Sequence, residues 1–149
     1  MVFSIFGPLG VGKTTLCNRL YDEIDNLVYL DIAQYRITLE FNEERAWEEL
    51  ITDFLLGLSR KEHILLETSG LSYQVEETLL KPSLVNPRKI SRIKLFAELQ
   101  VIKKRLTERQ SNLTSDKARD ELMFLDYSYW KLLNMNSDIE FDTTDGLEY

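Results

Sequence analysis

Residues 7–14, Gly7-Pro8-Leu9-Gly10-Val11-Gly12-Lys13-Thr14, fit the pattern G-x-x-x-x-G-K-[ST] without a mismatch. The pattern carries chemistry only when it joins a buried strand to a helix. Here Val2 to Phe6 is a short β-rich run, and Lys13 to Ile24 follows with Leu16, Leu20 and Ile24 at helical spacing. Glycines at these positions let consecutive backbone N–H groups turn inward around a phosphate, and the helix aims its positive end at the same point. Lys13 adds a mobile cation for β- and γ-phosphates. Gly7, Gly10, Val11, Gly12, Lys13, Thr14 and Thr15 therefore form the candidate nucleotide-binding set, with the Thr14 hydroxyl placed to hold Mg²⁺.

The rest of the chain alternates strand with helix. Leu27 to Asp31 reads as a second strand, Glu43 to Leu58 as an amphipathic helix on Ala46, Trp47, Leu50, Ile51, Phe54 and Leu55, and His63 to Glu67 as a third strand. Tyr73 to Leu80 reads as a short helix, and Pro82 and Pro87 bracket a loop. Arg92 to Leu99 is expected as a fourth strand, and Gln100 to Arg109 as a basic helix. A polar loop follows, with Ser115 or Asp116 as N-cap to a long helix from Lys117 to Met135, and Asp138 to Asp142 is a fifth strand. Short apolar strands separated by helices predict an α/β fold: a five-stranded parallel sheet in a three-layer sandwich, built as one domain over residues 1–149.

A parallel sheet collects its strand exits on one edge, where open α/β folds bind ligands. Asp31 and Glu67 end the second and third strands and should both arrive near a γ-phosphate. Glu67, behind Ile64-Leu65-Leu66, either binds Mg²⁺ or its water shell as a Walker B acid, or caps the turn through Thr68 to Gly70. Asp31 is placed to accept a proton from an attacking hydroxyl. Arg36 either clamps a phosphate or carboxylate of an acceptor or pairs with an acid between Glu40 and Glu49.

Composition narrows the ligand class. With 18 Lys and Arg against 25 Asp and Glu, the chain carries −7, which argues against long nucleic acid and anionic membrane as partners. The charge divides unevenly: Lys81 to Arg109 holds nine basic and two acidic residues, a local +7 in a body of −14. A single cysteine, Cys17, fits a reducing cytoplasm, and a single histidine, His63, leaves little room for a His-ligated metal. The apolar start lacks a basic n-region, so no export signal is read. Trp47, Phe124, Tyr127, Tyr129 and Trp130 stand at helical spacings and are expected in the core, as is Cys17.

Four segments together resemble the P-loop small-molecule kinases, the nucleoside monophosphate kinase group and the polynucleotide kinase-like ATPases. They are Gly7 to Thr15, Tyr29-Leu-Asp31 with Tyr35-Arg36, Ile93 to Arg109, and Ile139 to Gly146. The resemblance implies that Asp31 is the base, that Arg105 lies against adenine, and that Arg109 reaches the phosphates as the transition state forms. It also implies ATP and Mg²⁺, with a nucleoside, nucleotide or similar small molecule as acceptor. The chain departs from the family in a short lid of about six residues after Arg109, a wider Asp31-to-Arg36 spacing, and nothing usable as a last helix after Gly146.

The expected activity is an ATP-dependent phosphotransferase with Lys13, Asp31 and Arg109 as catalytic residues, Asp31 and Arg36 at the acceptor, and Thr14 and Glu67 at the metal. An ATP-hydrolysing switch or assembly factor acting on a protein partner is the alternative, and a binding module without chemistry is a third. A GTPase is disfavoured, because Asp53-Phe-Leu-Leu-Gly57 falls inside a helical pattern and no Asn-Lys-x-Asp occurs.

Overall fold

The computed structural model describes residues 1–33, 63–71, 76, 90–110 and 113–146. Its elements run β1 (Val2–Phe6), α1 (Lys13–Glu23), β2 (Leu27–Asp31), β3 (His63–Glu67), β4 (Ile90–Phe96), α2 (Leu99–Arg109), α3 (Ser115–Leu133) and β5 (Ile139–Asp142). The five strands form one sheet in the order β2-β3-β1-β4-β5, and every pairing is parallel. This is the expected α/β architecture. The helix expected over Glu43 to Leu58, Arg36 and, apart from Glu76, the short helix at Tyr73 to Leu80 lie outside the described residues.

Alternation along each strand sorts side chains to the two faces of the sheet. Ile5, Leu65, Ile93 and Leu95 share a buried cluster with Leu16 and Cys17 of α1, Ile102 and Leu106 of α2, and Leu125 and Tyr129 of α3. Val2, Leu30, Ile64 and Leu66 pack together on the opposite face. The C-terminal end of α3 also closes on the turn after β3: a Cβ added to Gly70 would stand 2.9 Å from both Leu132 and Phe6. Strands covered on both sides need no polar alternation, and this is why they read as near-continuous apolar runs.

Three local expectations need correction. The fourth strand ends at Phe96, not Leu99, because the chain turns at Ala97-Glu98 and Leu99 already opens α2. The cap of α3 is Thr114, whose hydroxyl accepts from Lys117 N at 3.4 Å, and not Ser115 or Asp116, which already lie in the helix. The aromatic residues of α3 are not uniformly core. Tyr129 is buried, but Phe124, Tyr127 and Trp130 are 47%, 76% and 60% exposed. The helical period that turns Leu125, Tyr129 and Leu132 inward carries Tyr127 and Trp130 to the far side of the helix.

The basic segment is also divided by the fold. Lys94 is 4% exposed and donates to the carbonyls of Leu133 at 2.8 Å and Met135 at 3.0 Å, with Glu140 Oε1 at 2.6 Å. Its three N–H donors are thus matched, and its charge sits at the negative end of α3. Arg92 pairs with Glu76 and lies over the Phe6 ring at 4.8 Å. Between Ile90 and Arg109, the described cations that reach the cavity below are Arg105 and Arg109.

Candidate active site

Between β1 and α1 the chain makes the turn that the glycine pattern requires. Gly12 is the N-cap of α1 with φ 103°, a left-handed conformation that costs glycine nothing, and no side chain caps the helix. No acid lies in the first turn either, where one would ordinarily offset the helix dipole. The first N–H groups of α1 are left for an outside anion. Gly7 is fixed by space: a Cβ there would overlap the Leu95 carbonyl oxygen of β4. Gly7→Ala is therefore expected to force the loop off the sheet, lowering stability by about 1–3 kcal/mol and weakening nucleotide binding. Thermal unfolding with and without ATP checks both.

Lys13 folds back over this loop, donating to Gly7 O at 2.8 Å and Pro8 O at 3.0 Å. Burial pulls its ammonium down to about 8. Glu67 and Asp31 oppose that shift, and Arg109 adds to it. One amine thus feels both strand-end carboxylates and the distal arginine, so these groups converge electrostatically.

The register of the parallel strands brings the carboxylates together. Asp31 stands opposite Glu67, and Tyr29 opposite Leu65, so all four share the face that looks toward α1. Glu67 is 6% exposed, and both its oxygens are engaged. Thr14 Oγ1 donates to Oε1 at 2.6 Å, and the Tyr29 hydroxyl donates to Oε2. The alternative of Glu67 as a cap for the following turn finds no support, since Gly70 N bonds the Thr68 hydroxyl and Leu71 N bonds the Ser69 hydroxyl. A hydroxyl and a carboxylate offer only hard oxygens, the set that suits Mg²⁺ when phosphates and water complete the shell.

On the opposite wall, Arg105 donates to Thr143 Oγ1 at 3.2 Å, to the Thr143 carbonyl, and to Thr144 O at 3.2 Å. Thr143 in turn donates to Val11 O at 2.8 Å. The turn after β5 is thereby tied to the phosphate loop, and the Arg105 guanidinium is held as a fixed plane beside it. Arg109 stands one turn further along α2, 3.9 Å from Glu121 of α3. Residues 110–114 separate the two helices.

These groups line one cavity of about 930 Å³, a size ordinary for small-molecule and cofactor sites. It takes in residues Gly7, Gly10 to Thr15, Asp31, Glu67, Arg105 and Arg109 together, with Leu71 after β3 and Phe124 of α3 also in the lining. Every candidate residue within the described set therefore opens on the same space. Tyr29 and Thr143 are contributors that spacing alone did not single out. The i, i+2 relation of Tyr29 to Asp31 was the available signal for the first.

No protein-family model matches the chain, and no curated protein matches it. Solved structures do. A shikimate kinase from Bacteroides thetaiotaomicron superposes with TM-score 0.57 at 18% identity, covering 100% of this chain and 89% of that one. A sugar kinase from Janibacter sp. gives TM-score 0.61 at 16% identity, covering 95% and 84%. A chain of the Pnkp1/Rnl/Hen1 complex gives TM-score 0.60 at 17% identity, and the present chain spans only 38% of its length. Strand order, the loop between β1 and α1 and these superpositions agree: the chain has the fold of the P-loop kinases.

Proposed function

We propose that the protein is an ATP-dependent phosphotransferase that moves the γ-phosphoryl group to a hydroxyl or phosphate of a nucleoside, nucleotide or similar small acceptor. The observation that carries this reading is the single cavity in which the phosphate loop, the Thr14–Glu67 pair and Asp31 all meet. A simple ATPase needs room only for water; the size of this cavity and the place of Asp31 in its lining support a second substrate.

In this reading the N–H groups at the start of α1 and the Lys13 ammonium hold the β- and γ-phosphates. Arg105 presents its face to the adenine, and Arg109 swings onto the transferring group. Thr14 and Glu67 would hold Mg²⁺, which when bound neutralises charge on the phosphate oxygens. An acceptor oxygen attacks the γ-phosphorus as the bond to the β–γ bridging oxygen breaks, and ADP leaves. For a hydroxyl acceptor the proton passes to Asp31. Arg36 is proposed at the acceptor. A cytoplasmic location is proposed from the lone cysteine; no helix among the described residues is long and apolar enough to cross a membrane.

The test is a screen with γ-³²P-ATP over nucleosides, nucleotides, small hydroxy acids and 5′-hydroxyl oligonucleotides. Labelled product from one acceptor class is expected. Phosphate release into water with no transfer to any acceptor would overturn the reading in favour of a hydrolysing switch.

A further inference from the structure

We propose that Tyr29 is a positioning residue for the metal site, holding Glu67 so that the Thr14 hydroxyl keeps its proton on the carboxylate and turns its lone pairs toward the phosphate side. The proposal rests on the ATP–Mg²⁺ reading above and deepens it by one residue.

The geometry is a three-member chain across three elements. Thr14 of α1 donates to one Glu67 oxygen, Tyr29 of β2 donates to the other, and Glu67 ends β3 between them. A hydroxyl has a single proton. Once that proton is committed to Glu67 Oε1, only lone pairs remain to face a cation. The commitment lasts only while the carboxylate is kept from rotating, and the second bond at Oε2 does this. Tyr29 is itself restrained. Its ring packs on Tyr21 of α1 with centroids 6.2 Å apart, and its backbone is locked into the β2–β3 ladder. A phenol carries its proton near neutral pH, so Tyr29 acts as an O–H donor to the carboxylate. Glu67 is too buried for water to replace that donor freely. Partners that orient a metal's ligands in this way are worth about 10–100-fold in metal affinity.

The experiment is calorimetric binding of ATP to the whole protein, with MgCl₂ and separately with EDTA, so that no turnover is needed. Wild type is expected to bind ATP more tightly with Mg²⁺ present. Tyr29→Phe should cut that Mg²⁺-dependent gain about 10–100-fold while leaving the EDTA affinity within about two-fold. Tyr29→Leu, which also removes the ring, should lose the gain equally, so the inference does not hang on one variant folding. In a Glu67→Gln background, Tyr29→Phe should add no further loss. An unchanged Mg²⁺-dependent gain in Tyr29→Phe overturns the proposal. Equal weakening with Mg²⁺ and with EDTA also overturns it, since a purely structural role acts on both. If wild type binds no ATP under either condition, the nucleotide reading itself falls and takes this inference with it.

Discussion

Lys13→Ala is expected to lower kcat/KM for ATP by about 10²–10³-fold, the usual loss when one charged donor to a reacting phosphoryl group is removed. The fold should survive the change. Among the described residues the ammonium bonds the Gly7 and Pro8 carbonyls, and Gly7 lines a cavity where water can take its place. In the present conformation Lys13 spends its donors on its own loop, so nucleotide must draw it away from those carbonyls. A pH dependence follows. Burial lowers this amine to about 8, and bound phosphates favour its charged form, so the complex holds the proton more tightly than the free protein does. ATP affinity should therefore be flat below that value and fall as pH rises through it, with proton uptake on binding. Calorimetry in two buffers of different ionisation enthalpy measures the uptake, and Lys13→Ala should abolish both the uptake and the slope. A slope that survives in Lys13→Ala would mean another group carries it.

The phosphate loop was legible in the sequence because its residue pattern is contiguous. Gly12 turns left-handed within the motif itself, although what fixes Gly7 is the Leu95 carbonyl of the distant β4. The five strands were legible for a similar reason, since burial on both faces produces apolar runs such as Ile64-Leu65-Leu66. What sequence could not supply was adjacency. Nothing in residues 27–31 states that β2 lies beside β3 and not beside β1, yet that neighbour relation is what sets Tyr29 diagonal to Glu67. The link from Arg105 through Thr143 to Val11 spans three distant segments and was invisible for the same reason. Charge counted along Lys81 to Arg109 carries no direction: Lys94 reaches the Leu133 carbonyl of α3, although it is only two strand positions from Phe96 at the end of β4. Helical spacing misled in the same way for Tyr127 and Trp130, because a period identifies a face without saying which face is covered.

Asp31→Asn is expected to lower kcat by about 10²–10⁴-fold if the acceptor is a hydroxyl. The substitution keeps size and hydrogen-bonding reach at the end of β2, and the ladder that holds Asp31 opposite Glu67 is made by backbone atoms, so the sheet should be undisturbed. What is lost is the ability to receive a proton. A hydroxyl oxygen must shed its proton as it bonds to phosphorus, and without a base within reach the attacking oxygen develops positive charge. A phosphate acceptor attacks with an oxygen that is already anionic near neutral pH, so it gives up no proton and should hardly notice the change. The size of the Asp31→Asn effect thus separates the two acceptor classes that the cavity admits. KM for ATP should stay close to wild type in both cases, because in the proposed reading the donor phosphates are held by the loop and Lys13 and not by Asp31. Steady-state kinetics with saturating ATP, run against each labelled acceptor found in the transfer screen, gives the comparison. A large fall in kcat with a phosphate acceptor would remove Asp31 from the role of base and leave it as a group that orients the acceptor.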